Sequence, residues 1–330
     1  MMTNKLFHHT KRALLSLSLS VAAMAFLASC EKTSDDVRPA PTAAAPPQDF
    51  IAVESMVGIN VNQDYYYQAN TFSRIKTAGF NTVRIIIRPQ DGNTAWTNNG
   101  GITGIKTMMR DAKAQGLNVM LVYYVKSYMD AYNSAAMSTA TQWWLNNLTT
   151  LKAEGEFALN ILNEPRAAGD AVTWRDQQTS AVQQLRSAGF TGPLVIDAPG
   201  YGHETSYISQ QGGNVAIYNT NVIFSLHIYP DSFYNGGLPG TPSAGSGGGD
   251  ATFMNNLRAA ANRPVIIGEF GDTGGSFTNF RTRVQEFVDN AQGSTANCGA
   301  LGWAWNGDGL GMNANVDANY MSWLKNTAVN

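Results

Sequence analysis

Two carboxylates in this sequence close apolar runs, where a charge is costly unless it has a partner or a task. Glu164 ends Phe157-Ala158-Leu159-Asn160-Ile161-Leu162-Asn163-Glu164-Pro165, and Glu269 sits in Val265-Ile266-Ile267-Gly268-Glu269-Phe270-Gly271. The first run reads as a strand buried on both faces. Its proline forbids continued pairing, which leaves Glu164 at a strand end with the amide of Asn163 beside it. An unpaired buried carboxylate is retained by chemistry or by an ion pair. Other polar groups interrupt apolar runs in the same way. Arg84 lies inside Val83-Arg84-Ile85, and Phe224-Ser225-Leu226-His227-Ile228-Tyr229 places His227 and Tyr229 on one side by the period of two. Gly302-Trp303-Ala304-Trp305 ends a further run in indoles. Two carboxylates converging on one cavity suit glycoside hydrolysis, where one protonates the leaving oxygen and the other attacks the anomeric carbon. Each group also has a purely structural reading: Arg84 and His227 as satisfied buried polar residues, Trp303 and Trp305 as core aromatics. Their recurrence at strand ends favours a site.

Other chemistries find less support. After residue 30, histidine occurs only at 203 and 227, and no ligand pair has the helical spacing of a metal site, so neither a metal nor a cofactor is expected. Gly245-Ser246-Gly247 falls in a glycine-rich stretch, away from the strand-to-helix turn that a serine nucleophile requires.

The elements that must position these groups follow from the alternation of short apolar runs with amphipathic stretches. Strands are expected to begin near Val57, Thr82, Asn118, Phe157, Leu194, Val222, Val265 and Leu301. Helical patterns lie at Tyr66 to Ala78, Ile105 to Gln115, Thr139 to Glu154, Trp174 to Ala188, Ala251 to Ala261 and Phe277 to Ala291. Eight near-continuous apolar strands with helical crossovers predict an α/β chain whose parallel sheet closes as a (β/α)8 TIM barrel. Ala78-Gly79, Gln115-Gly116 and Ala188-Gly189 supply glycine caps just before the next strand. An open doubly wound sheet is the alternative, but no glycine-rich phosphate fingerprint follows the first strand. From Asn235 to Asp250 there are seven glycines and two prolines, which predicts a long, mobile loop over the barrel mouth.

The 330 residues are 44% hydrophobic and only 14% charged, so a large core is available under a polar, weakly charged surface. Residues 1–30 carry Lys5, Lys11 and Arg12, an apolar segment from Ala13 to Leu27, and Ala28-Ser29-Cys30. This resembles a bacterial lipoprotein signal in which Cys30 becomes the lipidated first residue. An ordinary secretory signal and a single-pass anchor are the competing readings, and the span is short for the latter. Without this segment, 19 basic residues stand against 24 acidic ones, a net charge of −5 that does not attract nucleic acid. Only Cys298 then remains, which excludes an internal disulfide and suits a buried, inert thiol. Residues 31–50 hold Ser34-Asp35-Asp36, Pro39, Pro41, an alanine run and Pro46-Pro47, the composition of a tether. Residues 51–330 are expected to form a single domain, the catalytic one if the carboxylates act as read above.

Taken in order, Arg84, Leu162-Asn163-Glu164-Pro165, His227-Ile228-Tyr229 and Gly268-Glu269-Phe270-Gly271 resemble glycoside hydrolase family 5, of the clan with (β/α)8 barrels and retaining chemistry. The resemblance runs from about residue 56 to the C-terminus. It implies that Glu164 is the acid/base and Glu269 the nucleophile. Asn163 would bind the 2-hydroxyl, Tyr229 and Arg84 would hold the nucleophile ionised, His227 would support the acid/base side, and Trp303 or Trp305 would underlie the reacting sugar. Where the family usually carries a histidine on the third strand, this chain has Tyr124 within Val122-Tyr123-Tyr124-Val125. The runs Val195-Ile196-Asp197-Ala198-Pro199-Gly200-Tyr201-Gly202 and Gly302-Trp303-Ala304-Trp305-Asn306-Gly307-Asp308-Gly309 look most like the bacterial β-mannanase branch. Endoglucanases share the catalytic core. Tyr65, Tyr66, Trp96, Tyr128, Tyr201, Phe233 and Tyr234 fall in segments that could line a cleft. The expected protein is a lipid-anchored, monomeric endo-glycosidase at the outer membrane or cell surface, with β-1,4-mannan as substrate. Cellulose-type glucan is the nearest alternative, and a non-catalytic glycan-binding lipoprotein is the reading from another class.

Overall fold

The computed structural model describes residues 52, 55–63, 70–89, 100–166, 169–216, 221–229, 249–272, 281–282, 285, 288, 298–306, 314 and 317–329. All lie in the compact unit Thr42–Asn330. The expected leader and tether fall outside these residues, as does the glycine-rich stretch up to Gly248.

Eight described strands, β1 (Val57–Asn62), β2 (Thr82–Ile87), β3 (Asn118–Tyr123), β4 (Ala158–Asn160), β5 (Leu194–Asp197), β6 (Val222–Ile228), β7 (Val265–Phe270) and β8 (Ala300–Gly302), pair in parallel in sequence order. The last returns to the first, so the barrel is closed. The described helices are α1 (Thr71–Thr77), α2 (Gly101–Ala114), α3 (Lys126–Asp130), α4 (Ala136–Lys152), α5 (Ala171–Ser187), α6 (Ser206–Ala216), α7 (Gly249–Ala261) and α8 (Ala318–Val329). β4 and β8 begin one residue away from the expected Phe157 and Leu301. The helix expected over Phe277 to Ala291 is described only at residues 281, 282, 285 and 288, which are helical. Helices α3, α6 and α8 have no counterpart among the helical patterns of the sequence. α6 contains Gly212-Gly213, which breaks helical propensity. In the fold, a Cβ on Gly212 would lie 3.3 Å from Phe224 and 3.4 Å from the Ala261 backbone, so the missing side chains let α6 approach β6 and α7 closely.

The core divides into two shells. The larger, between sheet and helices, takes Ile59, Val83, Ile85, Leu121, Leu159, Phe224, Ile267, Trp144 and Trp174 among many others. The smaller is the floor of the barrel: Met56, Met120, Ala158, Val195, Ile223, Ile266 and Leu301. Gly58 leaves room for it, since a Cβ there would stand 2.6 Å from Leu301 Cγ. Above this apolar floor, towards the C-terminal strand ends, the inward positions turn polar with Asn60, Arg84, Asn160, Asp197, Ser225, His227 and Glu269, all buried. A packed floor beneath a polar layer is how a barrel supports groups at its mouth without water beneath them.

At the opposite end of the barrel, where the helices finish, a series of cations links consecutive units from α1 to β6. Lys76 of α1 donates to the carbonyl of Gly116 just past α2 (3.1 Å), and Lys113 of α2 to that of Glu154 past α4 (2.7 Å). Lys152 of α4 reaches Gly189 past α5 (2.6 Å), and Arg186 of α5 reaches Asn221 before β6 (2.8 Å). Lys325 of α8 lies beside Gly79 past α1, at the seam between the last helix and the first. The glycines at 79, 116 and 189 have φ of +98°, +67° and +81°, in keeping with their reading as caps.

Candidate active site

Arg84 is the hub of the polar layer. Its Nη1 donates to Glu269 Oε1 (2.6 Å) and Asn60 Oδ1 (2.9 Å), its Nε to Asn160 Oδ1 (3.0 Å), and its Nη2 to Asn160 Oδ1 (2.7 Å), Asn163 Oδ1 (2.8 Å) and Asp197 Oδ2 (3.1 Å). A fully buried guanidinium is tolerable only with this degree of satisfaction. Burial pushes its pKa down, but Asp197 and Glu269 push harder and leave it raised.

Glu269 owes its aim to a bulge. β7 pairs Leu226 with Ile267 and then His227 with Glu269, so Gly268 is skipped. A side chain at 268 would collide with Ser225 Oγ at 2.2 Å, and only glycine lets the strands close here. The extra residue turns Glu269 onto the cavity side, level with His227. Glu269 takes the Arg84 guanidinium on Oε1 and the Tyr229 hydroxyl on Oε2 (2.7 Å). Burial raises its carboxyl pKa, with His227, Arg84 and the Tyr229 hydrogen bond pulling it back towards ionisation. The phenol of Tyr229 is itself pushed up by burial and by the charge of Glu269.

Glu164 stands past the end of β4. Backbone pairing continues beyond the strand, with Ile161 N donating to Val195 O (3.1 Å) and Asn163 N to Tyr123 O (2.8 Å). Glu164 itself has φ +41°, a left-handed backbone that a non-glycine residue adopts at a cost of about 1–3 kcal/mol, and such outliers gather at functional positions. Its Oε1 meets His227 Nδ1 at 2.5 Å, its Oε2 accepts from Asn163 Nδ2 (3.3 Å), and its N–H donates to Asp197 Oδ2 (3.2 Å). One carboxylate oxygen of Glu164, one of Glu269 and a ring nitrogen of His227 all lie within 4.8 Å of one another. By donor type these three groups could hold a cation. However, Arg84 and Tyr229 already occupy the two oxygens of Glu269, so its charge is answered from within the protein.

His227 is buried, and its backbone N–H donates to Gly202 O (3.1 Å). Burial alone would lower the imidazole pKa. Glu269, Asp197 and Glu164 facing it outweigh that, and the value stands at about 10. Asp197, also desolvated, is held down to about 2 by His227 and Arg84.

Arg84, Asn163, Glu164, His227, Tyr229 and Glu269 are therefore brought together as one network. Tyr124 is half-buried and stacks under Arg88, 4.2 Å from guanidinium carbon to ring centroid. Trp303 is buried to 7% exposure and its carbonyl accepts from the Tyr320 hydroxyl. Trp305 is more deeply buried and faces Arg74 of α1 at 5.3 Å. Of the possible cleft aromatics, Tyr128 is half-buried, while Tyr201 is exposed at φ +59° with Arg166 5.9 Å from its ring. Tyr65, Tyr66, Trp96, Phe233, Tyr234 and Cys30 lie outside the described residues. Cys298 is buried and free, its thiol pushed up to about 12 by burial. Asn60, Asn160 and Asp197, to which the sequence alone assigns no role, also join the network through Arg84. Asn160 and Asp197 break apolar runs just as Arg84 does, and that was the available signal.

A model of the cellulase family (glycosyl hydrolase family 5) matches residues 47–309. The chain belongs to glycosyl hydrolase family 5. This family 5 chain is similar to a mannan endo-1,4-beta-mannosidase of Cellvibrio japonicus, 25% identical over 270 residues, covering 78% of this chain and 57% of the relative. It is also similar to one of Streptomyces lividans, 24% identical over 264 residues, covering 78% and 63%. The chain thus spans somewhat over half the length of these two relatives. Among solved structures, the β-mannanase from Thermomonospora fusca superposes with a TM-score of 0.62 at 25% identity, covering 78% of this chain and 81% of that one.

Proposed function

We propose that this chain is a retaining endo-glycosidase that hydrolyses β-1,4-linked mannan. The observation that carries this reading is the opposed pair Glu164 and Glu269, with carboxylate oxygens within 4.8 Å and separate supports behind each. That spacing fits the roughly 5–5.5 Å between carboxyl groups of retaining enzymes and leaves no room for the water of an inverting one. Glu269, flanked by Arg84 and Tyr229, attacks the anomeric carbon as the glycosidic bond breaks, and Glu164 gives its proton to the leaving oxygen. Water then attacks the same carbon, losing a proton to Glu164, and the ester bond to Glu269 breaks. Asn163, tied to Arg84 and beside Glu164, is placed to meet the 2-hydroxyl. Trp303 is the better candidate for the platform under the sugar, because Trp305 is engaged with Arg74.

The names of the two curated relatives and of the superposed structure support mannan. The family model carries the name cellulase, which keeps β-1,4-glucan as the second reading. A reducing-sugar assay on mannan, glucomannan, carboxymethyl cellulose, xyloglucan and mixed-linkage glucan decides. The highest kcat/KM is expected on mannan, with the β-anomer appearing first by proton NMR. A preference for carboxymethyl cellulose replaces mannan by glucan, first release of the α-anomer removes the retaining mechanism, and binding without any hydrolysis leaves a glycan-binding protein. We also propose export with lipidation at Cys30, supported by the residue pattern around it. Cys30→Ala should leave the membrane fraction with unchanged specific activity, and a variant still sedimenting with membranes would refute the anchor.

A further inference from the structure

Asp197 ends β5 in the middle of the polar layer, 1% exposed, and it belongs to neither carboxylate of the reaction. All of its described bonding runs through one oxygen. Oδ2 accepts from Arg84 Nη2 (3.1 Å) and from the backbone N–H of Glu164 (3.2 Å), and lies 3.6 Å from His227 Nε2, a charge contact at that separation rather than a hydrogen bond. Oδ1 is buried and makes no hydrogen bond among the described residues. The carboxylate thus turns a single oxygen on three components of the site, Arg84, the Glu164 N–H and His227. The two cations it touches lean chiefly on opposite carboxylates: Arg84 holds Glu269 at 2.6 Å and His227 holds Glu164 at 2.5 Å, with His227 Nδ1 also 3.6 Å from Glu269 Oε2.

We propose that Asp197 is a positioning residue: one buried carboxylate that fixes Arg84 behind Glu269 and His227 behind Glu164, so that nucleophile and acid/base share a single electrostatic anchor. The inference rests on the proposed double displacement for its catalytic meaning. A buried network of this kind is coupled, and removing one charge is felt by every partner. The groups facing His227 are Glu164 past β4, Asp197 on β5 and Glu269 on β7. Those facing Asp197 are Arg84 on β2 and His227 on β6. The raised imidazole and depressed Asp197 carboxyl agree with this placement.

The test is Asp197→Asn in the full chain, which keeps shape and removes charge. Because both sides lose their anchor, kcat/KM should fall by about 10- to 100-fold, as it does when a group that orients a metal ligand from behind is removed. An activated aryl leaving group should not restore the first step, and azide should not restore the second. The alkaline limb of the pH–rate profile should move to lower pH as His227 loses one of three facing carboxylates. A fall in rate with both limbs unmoved, or a defect relieved by the activated substrate alone, overturns the shared anchor. One measurement needs no variant to fold. With 15N-histidine in the wild type, assigned against His227→Gln, both ring nitrogens of His227 should carry protons at pH 7. A neutral imidazole there refutes the proposal. Loss of hydrolysis on every substrate by the wild type would instead remove the proposed function, while the histidine spectrum would still decide the Asp197 contact.

Discussion

Glu164 and Glu269 share a cavity but lean on different neighbours, and replacement by glutamine should separate what they do. Glu269→Gln removes the nucleophilic oxygen pair that Arg84 and Tyr229 hold, so no glycosyl-enzyme should accumulate on any substrate, as read by intact-protein mass spectrometry. Glu164→Gln keeps Glu269 in place. It should cut turnover of polysaccharide by about 10²–10⁴-fold, the usual share of general acid–base catalysis. An aryl glycoside with an activated leaving group should still load the enzyme and then stall until azide is added. Azide rescue at neither position would overturn the assignment. Legibility at this scale depended on how unusual each residue is in its run. A glutamate between glycine and phenylalanine, or an arginine between valine and isoleucine, is too costly to bury unless a partner or a reaction keeps it there. Asp197 carries as many contacts to the site as Asn163 does, yet it reads as the polar end of a short strand. Its role is visible only once Arg84 from β2 and His227 from β6 are seen to meet there.

At the scale of elements, the β6–β7 pair shows how a single glycine sets the chemistry. Gly268→Ala would drive a methyl group into Ser225 Oγ at 2.2 Å and close to His227 Nε2 at 3.1 Å. The bulge that aims Glu269 could not keep its geometry. We expect a loss of kcat of about 10²-fold, since a displacement near 1 Å is enough for that. Ser225→Ala alone should be mild, because its buried hydroxyl makes no hydrogen bond among the described residues. The double variant should recover part of the lost rate, and strict additivity in the cycle would show that the clash is elsewhere. Strand starts are readable to within one residue because each strand is an apolar run between polar turns, and strands such as β2 and β3 are buried at every position, inward and outward. The bulge was not readable, since it arises from register between two strands. Helix α6 escaped for a related reason: Gly212-Gly213 lowers propensity locally, and its compensation is contact with β6 and α7, far away in sequence.

The whole molecule concentrates its ionisable burial in one layer, and its stability should follow. His227, raised from an ordinary 6.5 to about 10, stabilises the fold fully below pH 6.5 and loses that contribution as pH rises towards 10. Asp197, lowered from 3.8 to about 2, contributes above pH 3.8 and loses its share as pH falls towards 2. Glu269 is raised, so its loss begins above its ordinary 4.5 and deepens the alkaline side. Calorimetric Tm should therefore peak in the mildly acidic range, between the ordinary values of Asp197 and His227. His227→Gln should flatten the alkaline limb and Asp197→Asn the acid one. A Tm that climbs from pH 6.5 to 9 would contradict this. The series of basic side chains at the far end of the barrel bears on a different property, how the fold opens. Each cation belongs to one unit while its acceptor belongs to the next, so fraying is not a private event of one helix. Lys152→Met should speed amide exchange not in α4, which owns the lysine, but at Gly189 and Phe190 one unit onward, where the carbonyl loses its donor. Because Lys325 lies beside Gly79, the last helix is a neighbour of the first unit, and fraying there disturbs both the first and the last unit of the barrel at once.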